Sequence, residues 1–297
     1  MKNNNNNNSK NEDITKYLQQ LSDSNWNNRV RAIYKLKEYD DTNVTNALIE
    51  TINKEKNENV WLSAVNVLKD KKESRIVEYL MKTIIEDKRD EIRWHSAYIL
   101  GEFGDFRSVD SIIKALKDEC LEVRIHSAKA LGKVGDKKAI SALIEALDDE
   151  NPVVRKEAIY SLNLLSPTKE TNVLINSLRD NDKRVRSLAA ILLGKTGSKE
   201  AVFELSKVLK NDNSNVVRVS AVYALSKIDG EEVVDPLIKA LNDSYWEVRN
   251  DAAIALGKIM DDRAVVPLLQ LLKDENHYVK KSASISLEKF KIFKNNK

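Results

Sequence analysis

The stretch VRIHSAKALGKVGD, residues 123–136, returns as IRWHSAYILGEFGD from Ile92 and as VRNDAAIALGKIMD from Val248. Aligned on the Leu they share, the position of Val123 is occupied in turn by Asn28, Val60, Ile92, Val123, Val154, Val185, Val217, Val248 and Val279, at spacings of 31 or 32 residues. A repeat of that length is one supersecondary unit that cannot bury its apolar face alone, so it stacks. Nine units account for residues 13–290, which form one repeat domain, although a length of 297 on its own suggests two domains. The Asn-rich segment 1–12 is expected to be disordered, and 291–297 to be a basic, frayed tail.

Within a unit the apolar spacing is helical. Val123, Ser127, Leu131 and Val134 make one stripe, and Ala139, Ile140, Leu143, Ile144 and Leu147 make a second after the Gly135-Asp136 turn. Each unit therefore reads as a helix hairpin, and the fold as all-α, an α-solenoid of about nine such hairpins. One column is always small (Ala32, Ala64, Ser96, Ser127, Ala158, Ala189, Ala221, Ala252, Ala283), which lets second helices of adjacent units approach closely. Gly101, Gly132, Gly194 and Gly257, with Gly104, Gly135 and Gly197, read as helix-end markers, and Asn25, Asn57, Asn151, Asp182, Ser214 and Asn276 as helix starts. Pro236 and Pro267 fall inside first helices and are expected to bend them.

The most regular polar feature is an acidic residue five places before the Val123 position, paired with a basic one directly after it. The central rows are Asp87, Asp118, Asp149, Asp180, Asp212 and Asp243, with Arg93, Arg124, Arg155, Arg186, Arg218 and Arg249. Stacking sets the two rows side by side as a ladder of bidentate hydrogen bonds, a structural role because every unit has it. Trp61 stands where Arg is expected and reads either as a contact residue or as a ladder defect.

Composition narrows the classes. With 42% hydrophobic and 32% charged residues, 8 Gly and 4 Pro, the chain suits a helix-rich water-soluble protein. Lone Cys120 excludes an internal disulfide, and no long apolar run suggests a membrane span, so the cytoplasm is the expected location. A net charge of +3 lacks the clustered excess of a dedicated nucleic-acid binder. Lys133, Lys195, Lys227, Lys258 and Lys289 share a column, but that column is acidic earlier (Glu38, Asp70, Glu102), and lysine near a helix C-terminus suits the dipole.

The phrase D-x4-V-R-x2-A-A-x-A-L-G-K-x-G-D followed by A-V-x-P-L-I-x-A-L, as in residues 243–272, resembles the HEAT-like repeat named after the phycobilisome lyases. That resemblance covers most of the chain. It implies an α-solenoid with first helices on a convex side and second helices lining a concave one. The family includes protein-binding scaffolds, bilin lyases and the di-iron deoxyhypusine hydroxylase, so it leaves function open. The hydroxylase's metal ligands resemble His-Glu pairs at the two places after the Arg row. This chain has Trp94-His95, Ile125-His126, Lys156-Glu157, Ser187-Leu188 and Asn250-Asp251 there. No His-Glu pair remains, and no catalytic residue, metal or cofactor is expected.

Candidate contacts lie two, three and six places after the Val123 position. They are Trp94, His95, Tyr98, Ile125, His126 and Lys129, with Tyr160 and Tyr223 continuing the Tyr98 column, as Tyr34 does earlier. Large apolar and aromatic residues on an exposed ridge are what binding hot spots are made of. The expected function is thus a monomeric scaffold or assembly factor that holds a protein or peptide in its groove. The alternative is an enzyme, or enzyme subunit, related to bilin lyases or the hydroxylase with altered ligands.

Overall fold

The computed structural model describes residues 12–166 and 171–295, and among them every regular element is a helix. The Asn-rich residues 1–11 and the last two residues lie outside the described part. Helix α1 covers residues 12–20. There follow α2 (Trp26–Leu36), α3 (Thr42–Lys54), α4 (Glu58–Asp70), α5 (Arg75–Glu86), α6 (Asp90–Phe103), α7 (Val109–Ala115), α8 (Leu121–Val134) and α9 (Ile140–Glu145). The second half holds α10 (Pro152–Leu165), α11 (Thr171–Ser177), α12 (Lys183–Thr196), α13 (Val202–Asn211), α14 (Asn215–Leu225), α15 (Val234–Ala240), α16 (Trp246–Ile259), α17 (Val265–Leu271) and α18 (His277–Asn295). The backbone of 291–295 thus belongs to the last helix.

The chain divides between Ala142 and Leu143, inside α9, into two compact units. In each, odd-numbered helices form one layer and even-numbered helices the other, so each is an α-solenoid stack. In the first unit α2, α4, α6 and α8 pack in succession, and in the second α10, α12, α14, α16 and α18 do the same. The repeat columns build the core. Val60, Ile92 and Val123, and in the second unit Val154, Val217, Val248 and Val279, are fully buried, as are the small residues from Ala64 to Ala283 in their column.

One local reading needs correction. Gly101, Gly194 and Gly257 do not end helices. They lie within α6, α12 and α16, where the neighbouring second helix comes so near that an added Cβ would stand 2.8 Å from Ala130 Cα, 2.6 Å from Ala224 Cα and 2.2 Å from Ser286 Oγ respectively. Gly104, Gly135 and Gly197 are the left-handed caps, at φ of 63°, 83° and 65°. Lys72 and Met260 hold the same left-handed position in their units, at φ of 54° and 63°. Pro236 and Pro267 are third in α15 and α17, and the 3-10 turn before these helices is not due to them, since one also precedes proline-free α7, α9 and α13.

Candidate functional site

Each described rung of the ladder is built alike. Asp118, Asp180, Asp212, Asp243 and Asp274 accept through Oδ1 from the backbone N–H two residues on, at 2.7–2.8 Å, which shapes the turn into the next second helix. The same carboxylates receive the fork of an arginine from the preceding hairpin. Arg93 donates Nε and Nη2 to Asp118 at 2.8 and 2.9 Å, Arg155 to Asp180 at 2.8 and 2.7 Å, and Arg186 to Asp212 at 2.7 and 2.9 Å. Arg218–Asp243 and Arg249–Asp274 repeat the geometry. The third nitrogen, Nη1, donates to the backbone carbonyl of the arginine's own unit, as Arg155 does to Asp149 at 2.8 Å and Arg124 to Asp118 at 2.9 Å. Arg93, Arg155, Arg186, Arg218 and Arg249 each tie their own loop to the next. The guanidinium pKa values of Arg155, Arg186, Arg218 and Arg249 are raised, chiefly by the carboxylate hydrogen bonds. Asp274 is held below the usual range, mainly by Arg249. At Asp180 burial pushes upward, but the Arg155 and backbone hydrogen bonds outweigh it.

Trp61 is not a surface contact. It is fully buried, its indole N–H donates to Tyr79 Oη at 3.1 Å, and that hydroxyl donates to the Ile52 carbonyl at 2.7 Å. The missing guanidinium comes from elsewhere. Arg89, at the start of α6, donates Nε and Nη2 to Asp87 at 3.0 and 2.8 Å, and Nη1 to the carbonyls of Glu55 and Lys56 at 3.3 and 3.1 Å. These are the contacts an arginine at position 61 would make, so the rung is intact with its cation supplied from a different place in the chain.

The proposed contact residues fall into two groups. On α6 and α8, Trp94 stacks on His95 (ring centroids 3.4 Å apart) and on His126 (4.9 Å), and Tyr98 meets His126 edge-on at 6.1 Å. Lys69 and Lys133 lie over the Tyr98 ring at 5.8 and 5.4 Å, and Lys133 is also ion-paired with Glu102. Trp94, His95, Tyr98, Ile125 and His126 are half-buried, and Lys129 is exposed. Burial pushes the His95 pKa down, partly offset by the Glu91 carbonyl 2.6 Å from its Nδ1. Burial thus favours the neutral imidazole, which lies nearly parallel to the Trp94 ring. Tyr160 and Tyr223, on α10 and α14, are exposed, and α12 lies between those two helices. Cys120, just before α8, is half-buried, and its N–H is committed to Asp118. Among the described residues no group of three or more His, Cys, Asp or Glu side chains is placed to hold a metal ion, and no helix is long and apolar enough to cross a membrane.

The sequence reading missed a second aromatic group, Trp246 stacked on Tyr278 at 5.5 Å with His277 against Tyr278. The sign it offered was aromatic residues at the starts of successive second helices, outside the columns considered.

Helix hairpins in two layers, with small buried columns and an Asp–Arg ladder, define a HEAT-type α-solenoid. The model of HEAT repeats matches residues 77–163, 171–256 and 204–288, and the chain belongs to that family. No curated protein sequence matches it. Among solved structures, Kap95p in complex with RanGDP is similar over 94% of this chain and 46% of its own, with a TM-score of 0.68 and 14% identity. Escherichia coli YibA is similar over 86% of this chain and 95% of its own, with a TM-score of 0.60 and 21% identity. An importin β structure has a TM-score of 0.62 and 16% identity over 93% of this chain and 46% of its own. At these identities the likeness is one of fold.

Proposed function

We propose that this protein is a non-enzymatic, protein-binding scaffold that holds a protein or peptide against the second helices, with the α6–α8 aromatic cluster as its contact. The observation that carries this reading is the Trp94–His95–His126 stack capped by Tyr98. Flat rings already locked against one another present large apolar area with little ordering left to do on binding, which is how hot spots reach high energies. That Kap95p is a structural neighbour, solved bound to RanGDP, supports partner binding by this fold. Within the family we assign the chain to the phycobilisome-lyase HEAT-like branch, on the repeat phrase of residues 243–272. We further take it to act as a monomer in a reducing cytoplasm, since its one cysteine forms no internal disulfide.

The test is quantitative capture of partners from the native cell by wild-type protein and by a Trp94→Ala, Tyr98→Ala variant, with circular dichroism confirming the fold. Loss of about 2 kcal/mol or more, roughly thirtyfold in affinity, is expected for partners bound here. A folded variant that captures every partner as wild type does sinks the reading.

A further inference from the structure

In the second unit the position six after the Val column carries Tyr160, Ile191, Tyr223, Ile254 and Ile285, one on each of α10, α12, α14, α16 and α18. Ile191 is half-buried, and the other four are 36–44% exposed, an unusual cost for aliphatic and aromatic side chains with no partner. Four residues further on stand Lys195 in α12, Lys227 in the turn after α14, Lys258 in α16 and Lys289 in α18, all exposed, the three helical ones on the same face as the row. The two rows adjoin, as Lys227 Nζ lies 5.6 Å from the centre of the Tyr223 ring.

The lysine column behaves differently in the two units. In the first, Lys133 pairs with Glu102, while Asp70 in that same column takes Lys37 at 2.7 Å. In the second, among the described residues, none of the four lysines has a carboxylate partner, so like charges line up along one edge of an apolar row. The helix dipole explains a lysine in the last turn of α12 or α16. It does not explain a row without counter-ions. Of the carboxylates of this face, Glu157 is paired with Lys156 at 3.3 Å, while Asp251 accepts from the neutral Asn250 amide at 3.0 Å and offsets one charge of the row without pairing to a lysine.

We propose that this face of the second unit binds an extended, acidic polypeptide segment with an apolar side chain at every third residue. Packed helices are about 8–10 Å apart, and a segment in the polyproline II conformation, with three residues per turn and a rise of about 3.1 Å each, advances about 9 Å per turn, so it sets one apolar side chain against each helix and its carboxylates along the lysine edge. Three of the five row positions are isoleucine, which gives a nucleic-acid base no ring to stack on and suits aliphatic side chains instead. The site shares no residue with the α6–α8 cluster.

The probe is a fluorescein-labelled peptide of five Leu-Glu-Asp repeats, followed by anisotropy with the full chain. Wild type is expected to bind it, and the Lys195→Glu, Lys227→Glu, Lys258→Glu variant to bind at least about tenfold more weakly. The corresponding Lys→Gln variant should fall between them and serves if charge reversal impairs folding. A Tyr223→Ser, Ile254→Ser variant with an unchanged melting curve should also lose at least about tenfold. The Trp94→Ala, Tyr98→Ala variant should bind the probe as wild type does, which separates this site from the cluster. No binding by wild type, equal binding by the charge-reversal variant, or tighter binding of a single-stranded oligouridylate than of the peptide overturns the proposal.

Discussion

The guanidinium supplied by Arg89 in place of a residue at position 61 predicts a strong non-additivity. In Trp61→Arg alone, a second cation enters a rung whose acceptors, Asp87 and the Glu55 and Lys56 carbonyls, are already taken. The variant also empties the space of a fully buried indole and leaves Tyr79 Oη without its donor. Loss of a buried tryptophan costs about 3–5 kcal/mol, and the arginine stem refills part of the volume, so about 3 kcal/mol is expected. Arg89→Ala alone removes a guanidinium whose side chain is 34% exposed, and water takes over part of its role, so about 1 kcal/mol is expected. In the double variant the arginine introduced at position 61 recovers the vacated acceptors, as Arg155 does in its own rung, and the double loss falls short of the sum of the singles by about 1–2 kcal/mol. Urea unfolding of wild type, both single variants and the double variant, followed by circular dichroism, closes the cycle. Additive losses would refute the claim that position 61 and Arg89 serve the same rung.

Two further outcomes follow from the turns and the ladder. Lys72→Gly, at an exposed left-handed position, should stabilise the protein by about 0.5–1 kcal/mol, and a lower melting temperature would show that the Lys72 backbone carries no strain. Asp87 and Asp274 have pKa values lowered by Arg89 and Arg249, so they contribute stability that is complete above the unfolded carboxylate pKa near 3.9 and is lost as pH falls through the lower folded values. Urea unfolding between pH 6 and pH 3 should show that loss, with a shallower slope in Arg249→Met; an identical slope would exclude the rung as its source.

Much of the fold was legible because stacking makes every unit solve the same burial problem. The Val, small and Leu columns recur because each faces another hairpin, and the Asp and Arg rows because each joins one loop to the next. What the sequence concealed were substitutions made in space and not in register. Arg89 lies outside the arginine column, so Trp61 looked like a defect or a contact. Gly101 follows the Leu by one place and looked like a helix end, because the backbone of Ala130, which requires the glycine, belongs to another unit. The apolar row of the second unit was half visible. Tyr160 and Tyr223 drew notice as aromatics, whereas Ile254 and Ile285 in the same column resemble core residues until their exposure is known.

The glycines at the helix crossings also grade the mechanics of the stack. Along the second unit, α12 meets the backbone of α14 at Gly194 and α16 receives Ser286 of α18 against Gly257, and these pairs share far more contact than α10 with α12 or α14 with α16. Such crossings resist sliding because Ala224 has no rotamer to change and the Ser286 hydroxyl is tied to the Ala253 carbonyl at 2.9 Å, so neither side chain absorbs the strain. The row of second helices is therefore a series of stiff doublets joined by softer seams. Flexing concentrates at the α10–α12 and α14–α16 seams, and the spacing of anything seated across the doublets is held more constant within a pair than between pairs.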